Sequence, residues 1–120
     1  MLTLPPSVKI HLAVGATDMR KSIDGLQAIV RSHWQEDPFS GHLYVFLSRD
    51  RSRAKVLFWD RGGFVVYYKR LERGRFRMPP VDGTQQKVRL DATDLAMLLQ
   101  GIDTGRVRRP RPWEPRRSAA

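Results

Sequence analysis

The sequence predicts an α+β fold: an antiparallel β-meander of three to five strands packed with one N-terminal and one C-terminal helix, followed by a disordered basic C-terminal tail. Three observations predict it. Short apolar runs rich in β-branched and aromatic residues, Leu43 to Leu47, Val56 to Trp59 and Phe64 to Tyr68, follow one another, separated by the polar connector Arg49 to Arg53 and by the Gly62-Gly63 turn. A stripe at helical spacing, Ile23, Leu26, Val30 and Trp34, widened by Ile29, precedes these runs, and a second, Leu95, Leu98 and Leu99, comes after them. Beyond Gly105 the composition turns to arginine and proline. These divide the chain into one domain, residues 1–105, and a tail, residues 106–120.

Taken in order, Pro5 and Pro6 close a short arm. Val8, Ile10 and Leu12 alternate with Lys9 and His11, the pattern of a half-buried strand that Gly15 ends. Asp18 or Thr17 can cap a helix from about Met19 to His33. Gly25 costs that helix about 1 kcal/mol relative to alanine and so implies a close approach there. Pro38 and Gly41 punctuate the turn into the meander, and Gly62-Gly63 signals a hairpin between its second and third strands. Pro79-Pro80 ends any regular element after the third strand, and Lys87 to Leu90 fits a further short strand. Asp91 or Thr93 caps the second helix, and Gly101 suits its end. The strands are apolar on both faces, so the sheet needs cover on both.

Charge speaks to partners. Twenty-two Lys and Arg against twelve Asp and Glu give +10 and a pI near 11.0. A nucleic acid is the expected polyanion. A membrane is not expected, since no apolar run approaches the length of a span and the N-terminus lacks a secretory pattern. The absence of cysteine excludes disulfides, Cys-based zinc sites and thiol nucleophiles and fits a cytoplasmic protein.

The basic residues fall into three clusters. Arg49, Arg51, Arg53 and Lys55 lie in and after the first connector of the meander, with Arg61 in the next turn. Lys69, Arg70, Arg73, Arg75 and Arg77 follow the third strand. In the tail, Arg106, Arg108, Arg109, Arg111, Arg116 and Arg117 face only Glu114, a net +5, half the charge of the chain. Alternate loops of a meander share an end, so the first two clusters are expected to merge into one patch whose guanidinium forks match phosphate oxygens. Tyr67, Tyr68, Phe76 and Trp113 lie near these arginines as candidate stacking groups, with core or cross-strand packing as the plainer reading of the two tyrosines and of Phe76.

No active site is legible. The carboxylates are scattered, without spacing that would converge them on two metal ions, and His11, His33 and His42 lack metal-ligand spacing. A nucleophile elbow and a phosphate-cradling loop are both missing, so a non-enzyme without cofactor or metal is expected.

A set of motifs then identifies a relationship. Asp18-Met19-Arg20-Lys21 with Ile23-Asp24-Gly25-Leu26, and Asp37-Pro38-Phe39-Ser40-Gly41 leading into Val45-Phe46, open the series. Trp59-Asp60 with Gly63-Phe64, Tyr68-Lys69-Arg70-Leu71-Glu72 with Gly74 and Phe76, and Leu98-Leu99 with Gly101-Ile102-Asp103 complete it. In this order and spacing, from about residue 8 to residue 103, the chain resembles the TnpB accessory proteins of the insertion-sequence family numbered sixty-six. Thr104 and Met78-Pro79 depart from the usual pattern at the edges of the basic segments. The resemblance implies a non-catalytic accessory role in transposition beside a separate transposase. Together with the charge, it leads to the expectation of a DNA-binding protein whose partners are DNA and the transposase of the same element. The alternative is an interaction module that docks on the transposase or self-associates as a homo-oligomer without touching DNA.

Overall fold

A computed structural model describes Pro5 and residues 7–101. The elements run β1 (Ile10–Ala13), α1 (Ile23–Ala28), a π-helical turn (Ile29–His33), β2 (Leu43–Leu47), β3 (Arg53–Asp60), β4 (Gly63–Arg70), β5 (Lys87–Leu90) and α2 (Ala92–Leu99). The five strands form one sheet in the order β4-β3-β2-β1-β5. The expected meander is β2-β3-β4, paired antiparallel throughout. β5 adds antiparallel to β1.

One pairing departs from a pure meander. β1 runs parallel to β2, with Ile10 opposite Leu43 and Leu12 opposite Val45. Parallel neighbours need a crossover, and α1 supplies it. That helix starts at Ile23, the first residue of its apolar stripe, and not at the expected Met19. Asp18 does not cap it; its carboxylate accepts from the Arg20 backbone N–H at 2.9 Å and from the Arg20 guanidinium. Thr17 is buried, its N–H donating to the Leu47 carbonyl at 2.9 Å. The local turn thus engages the Asp18 carboxylate and buries Thr17 ahead of the helix, and Ser22 becomes the N-cap without a side-chain hydrogen bond. At the far end the helix widens, with the Trp34 N–H donating to the Ile29 carbonyl at 3.1 Å, the i to i−5 bond of a π-turn. Gly25 does meet a close neighbour, since a Cβ there would sit 3.0 Å from the Lys21 Cβ.

Side-chain alternation gives the sheet two covered faces. On one, Ile10, Leu12, Val45, Leu47, Ala54 and Val56 pack with Leu95 and Leu98 of α2 and with Phe76. On the other, Tyr44, Phe46 and Leu57 pack with Leu26 and Val30. The β3–β4 hairpin closes through Arg61 and Gly62, both at positive φ (40° and 87°), with Asp60 opposite Gly63. That is the signature of a type I′ turn, one residue earlier than the glycine pair alone suggests. Asp91 caps α2 through a full capping box with Asp94.

Candidate nucleic-acid interface

The site is built at the end of the sheet where β2 turns into β3. In that turn Asp50 Oδ1 accepts from Ser48 Oγ, Ser52 N–H and Ser52 Oγ. These hydrogen bonds hold the Asp50 carboxyl down at about 2, so it stays ionised and occupied within its own loop. Arg51 takes a positive φ of 60° at the apex. The chain leaving β4 then crosses this turn: Leu71 N–H donates to the Ser52 carbonyl and Phe76 N–H to the Arg51 carbonyl, both at 2.7 Å. Phe76 is 1% exposed and fixes the crossing segment onto the core. It is therefore an anchor and is out of reach of a stacked base.

This arrangement joins the two basic clusters. Arg53 and Arg70 are directly opposite across β3 and β4. Arg49, Arg51, Arg53, Arg70, Arg73 and Arg75 are all exposed along the turn and the segment that crosses it. Arg70 shares its guanidinium with Glu72 at 3.2 Å. Among the described residues the other five form no ion pair. Like charges this close raise the local potential and call for an external anion.

Four of the residues singled out from sequence sit differently. Lys55 Nζ donates to the Met19 and Lys21 carbonyls at 2.9 and 2.7 Å and lies 5.5 Å from the Tyr68 ring centroid. Its charge thereby ties the loop before α1 to the sheet. Lys69 Nζ donates to the Leu99 carbonyl at the C-terminus of α2, where a cation suits the helix dipole. Arg61 occupies the hairpin turn at the other end of β3, about 24 Å from the rim at the usual rise per residue. Arg77 lines an open groove of about 330 Å³ between β5, α2 and the 79–85 loop, together with Arg89. The tail residues Arg106, Arg108, Arg109, Arg111 and Trp113 lie outside the described residues.

Tyr67 and Tyr68, for which core or cross-strand packing was the plainer expectation, are 45% and 49% exposed, on opposite faces of an edge strand. One feature escaped the sequence reading. Phe39, 48% exposed, joins Trp59 and Phe64 in an aromatic cluster with centroids 4.9 to 5.1 Å apart. The signal for the cluster was available in part, since Trp59 and Phe64 flank the hairpin, but only the fold brings Phe39 to them.

No constellation for catalysis assembles among the described residues. No group of three or more His, Asp or Glu side chains is placed to hold a metal ion there. His42 Nδ1 accepts from the Lys9 backbone N–H. His11 is buried on β1, stacked on Tyr44 with centroids 5.5 Å apart, and neither ring nitrogen has a hydrogen-bond partner. Among the described residues, no helix is long and apolar enough to cross a membrane.

Fold and site together define a small basic α+β protein whose distinguishing surface is an arginine rim. Over residues 8–109 the chain matches the family described as IS66 Orf2 like protein. It belongs to that family, which points to an accessory role in transposition of an insertion sequence. Two similar proteins come from Sinorhizobium fredii (strain NBRC 101917 / NGR234). Uncharacterized protein y4jC is 33% identical over 103 residues, covering 85% of this chain and 86% of its own length. Uncharacterized protein y4hO is 36% identical over 103 residues, with 86% and 88% covered. No solved structure matches the chain.

Proposed function

We propose that this protein binds DNA through phosphate contacts made by its arginine rim and in that way assists a separate transposase. The observation that carries this reading is the pair of backbone hydrogen bonds, Leu71 to Ser52 and Phe76 to Arg51, that fasten one arginine-bearing segment across another. Exposed arginines from two distant stretches of chain thereby share one end of the sheet. Guanidinium groups so grouped engage phosphate oxygens in bidentate fashion and release condensed counterions. Such contacts set affinity and orientation without reading sequence. Arg106, Arg108, Arg109 and Arg111 add non-specific attraction in this scheme.

Titrating duplex DNA at several salt concentrations tests it. Neutralising six to ten phosphates gives log K a slope of roughly −5 to −9 against log salt. Replacing Arg51, Arg53, Arg73 and Arg75 together by glutamine is expected to shallow that slope by about 3 to 4. Removing residues 106–120 is expected to shallow it as well. A flat response of the full chain would eliminate electrostatic capture of DNA.

A further inference from the structure

The two edges of the sheet are built differently. β5 has four residues and carries Lys87 and Arg89. Short, charged edges resist pairing with other chains. β4 has eight residues, Gly63 to Arg70, with its charges confined to Lys69 and Arg70 at one end and no proline. It is the terminal strand of the sheet, and no strand among the described residues pairs with its outer side. Val65, Tyr67 and Tyr68 are 38%, 45% and 49% exposed along it. A long apolar strand left open in this way is a template for strand addition.

The hairpin settles which backbone groups are open. A two-residue I′ loop makes Asp60 and Gly63 a hydrogen-bonded pair. At the other end of the ladder the Leu71 N–H donates to the Ser52 carbonyl, in step with that alternation. Residues 63, 65, 67 and 69 therefore turn their peptide groups toward β3, while Phe64, Val66, Tyr68 and Arg70 present theirs outward.

We propose that the chain forms a twofold-symmetric dimer by antiparallel pairing of β4 with β4 of a second copy, centred on Val66. A twofold axis perpendicular to the sheet keeps each face continuous, and the outward peptide groups then fix the register. Val66 lies opposite the partner's Val66 and Phe64 opposite the partner's Tyr68 on one face. Val65 lies opposite the partner's Tyr67 on the other. Each of these pairs is apolar, of the aromatic and β-branched kinds that stabilise antiparallel ladders. Lys69 and Arg70 meet the partner's Gly63 and Gly62, so no like charges face each other across the ladder. Centring on Tyr68 instead would set Lys69 against the partner's Tyr67 and Arg70 against the partner's Val66, and parallel pairing would align like charges. A second copy is also a better occupant than residues 106–120, whose net +5 would be brought against Lys69 and Arg70. In this dimer Arg61, remote from the rim of its own copy, comes opposite the partner's Leu71. The pairing does not depend on DNA binding.

The full chain can be tested directly. Light scattering across the micromolar range is expected to show a mass approaching twice the 13.9 kDa of one chain. Combining Val65→Lys with Tyr67→Lys sets like charges directly opposite and is expected to weaken the dimer at least about tenfold. The natural sequence has no cysteine, so engineered thiols report cleanly. Val65→Cys with Tyr67→Cys is expected to give a covalent dimer on oxidation, because a non-hydrogen-bonded pair holds its Cα atoms about 4.5 Å apart. Tyr67→Cys alone faces the partner's Val65 and is expected to cross-link far less. A folded chain that stays monomeric at every concentration overturns the proposal. So does a dimer that survives the lysine pair and fails to cross-link in the double-cysteine variant.

Discussion

On one face of the sheet, α2 and the 71–78 segment close over aliphatic side chains and Phe76, and among the described residues no buried side-chain polar atom on that face is left without a partner. On the other, α1 and its π-turn close over Tyr44 and Phe46 and enclose His11, whose two ring nitrogens find no hydrogen bond. The α2 face is thus a packing device that also fixes the arginine rim. The α1 face contains an ionisable group whose burial favours the neutral form, against the Glu36 carboxylate 3.7 Å from its Nε2. Stability and rim geometry should respond to volume on the first face and to protons on the second.

The largest effect is expected from breaking the first face. Phe76→Ala removes a fully buried ring that has nothing to replace it, a change that costs about 3–5 kcal/mol. Urea denaturation measures that loss. The same substitution frees the segment bearing Arg73, Arg75 and Arg77, so DNA affinity is expected to fall even where the variant remains folded. A variant with unchanged denaturation midpoint would show that Phe76 does not anchor the rim.

That anchor shows how far the sequence was legible. The three apolar runs, the short strand at Lys87–Leu90 and the Asp91-capped helix all emerge as read, because periodicity and caps are local signals. The meeting of Arg49, Arg51 and Arg53 with Arg70, Arg73 and Arg75 was legible too, since it follows from meander topology. The parallel pairing of β1 with β2 was not, because alternation marks a strand without naming its neighbour or direction. The start of α1 was misread for a related reason: Asp18 has the right chemistry for a cap, and only the three-dimensional turn reveals that Arg20 has claimed it. Lys55 and Lys69 look like their arginine neighbours on a count of charge. Their flexible stems instead reach backbone carbonyls across the fold, which no linear pattern specifies.

The second face is probed by acid. Burial, reinforced by the charge of Lys87 and only partly offset by Glu36, pushes the His11 imidazole down from 6.5 to about 4. In the unfolded chain the same ring takes up its proton near its ordinary value. Between about 6.5 and about 4 the unfolded state therefore binds more protons, so stability present above that window is lost as pH falls through it and levels off below. The whole loss amounts to about 3 kcal/mol at most. Asp18 and Asp50, held down at about 2, lose their contribution at lower pH and leave this window to His11. His11→Phe, which keeps a ring against Tyr44, is expected to flatten the dependence of urea stability on pH between 6.5 and 4. An unchanged pH profile in that variant would remove His11 as its source.

The smallest effect separates the two helices themselves. The Asp91 side chain accepts from the Asp94 N–H at 2.7 Å, and the Asp94 carboxylate accepts from the Asp91 N–H in return. Lys69 satisfies a carbonyl at the other end of the same helix. α1 begins at Ser22 with no side-chain hydrogen bond at all and owes its position to the packing of Leu26 and Val30. Asp91→Ala is accordingly expected to cost about 1 kcal/mol, the usual value of a lost cap. Ser22→Ala removes no bond and should leave the denaturation midpoint nearly unchanged. Equal losses at the two positions would mean that α1 is capped in solution after all, and that local turn chemistry, rather than burial against the sheet, holds it in place.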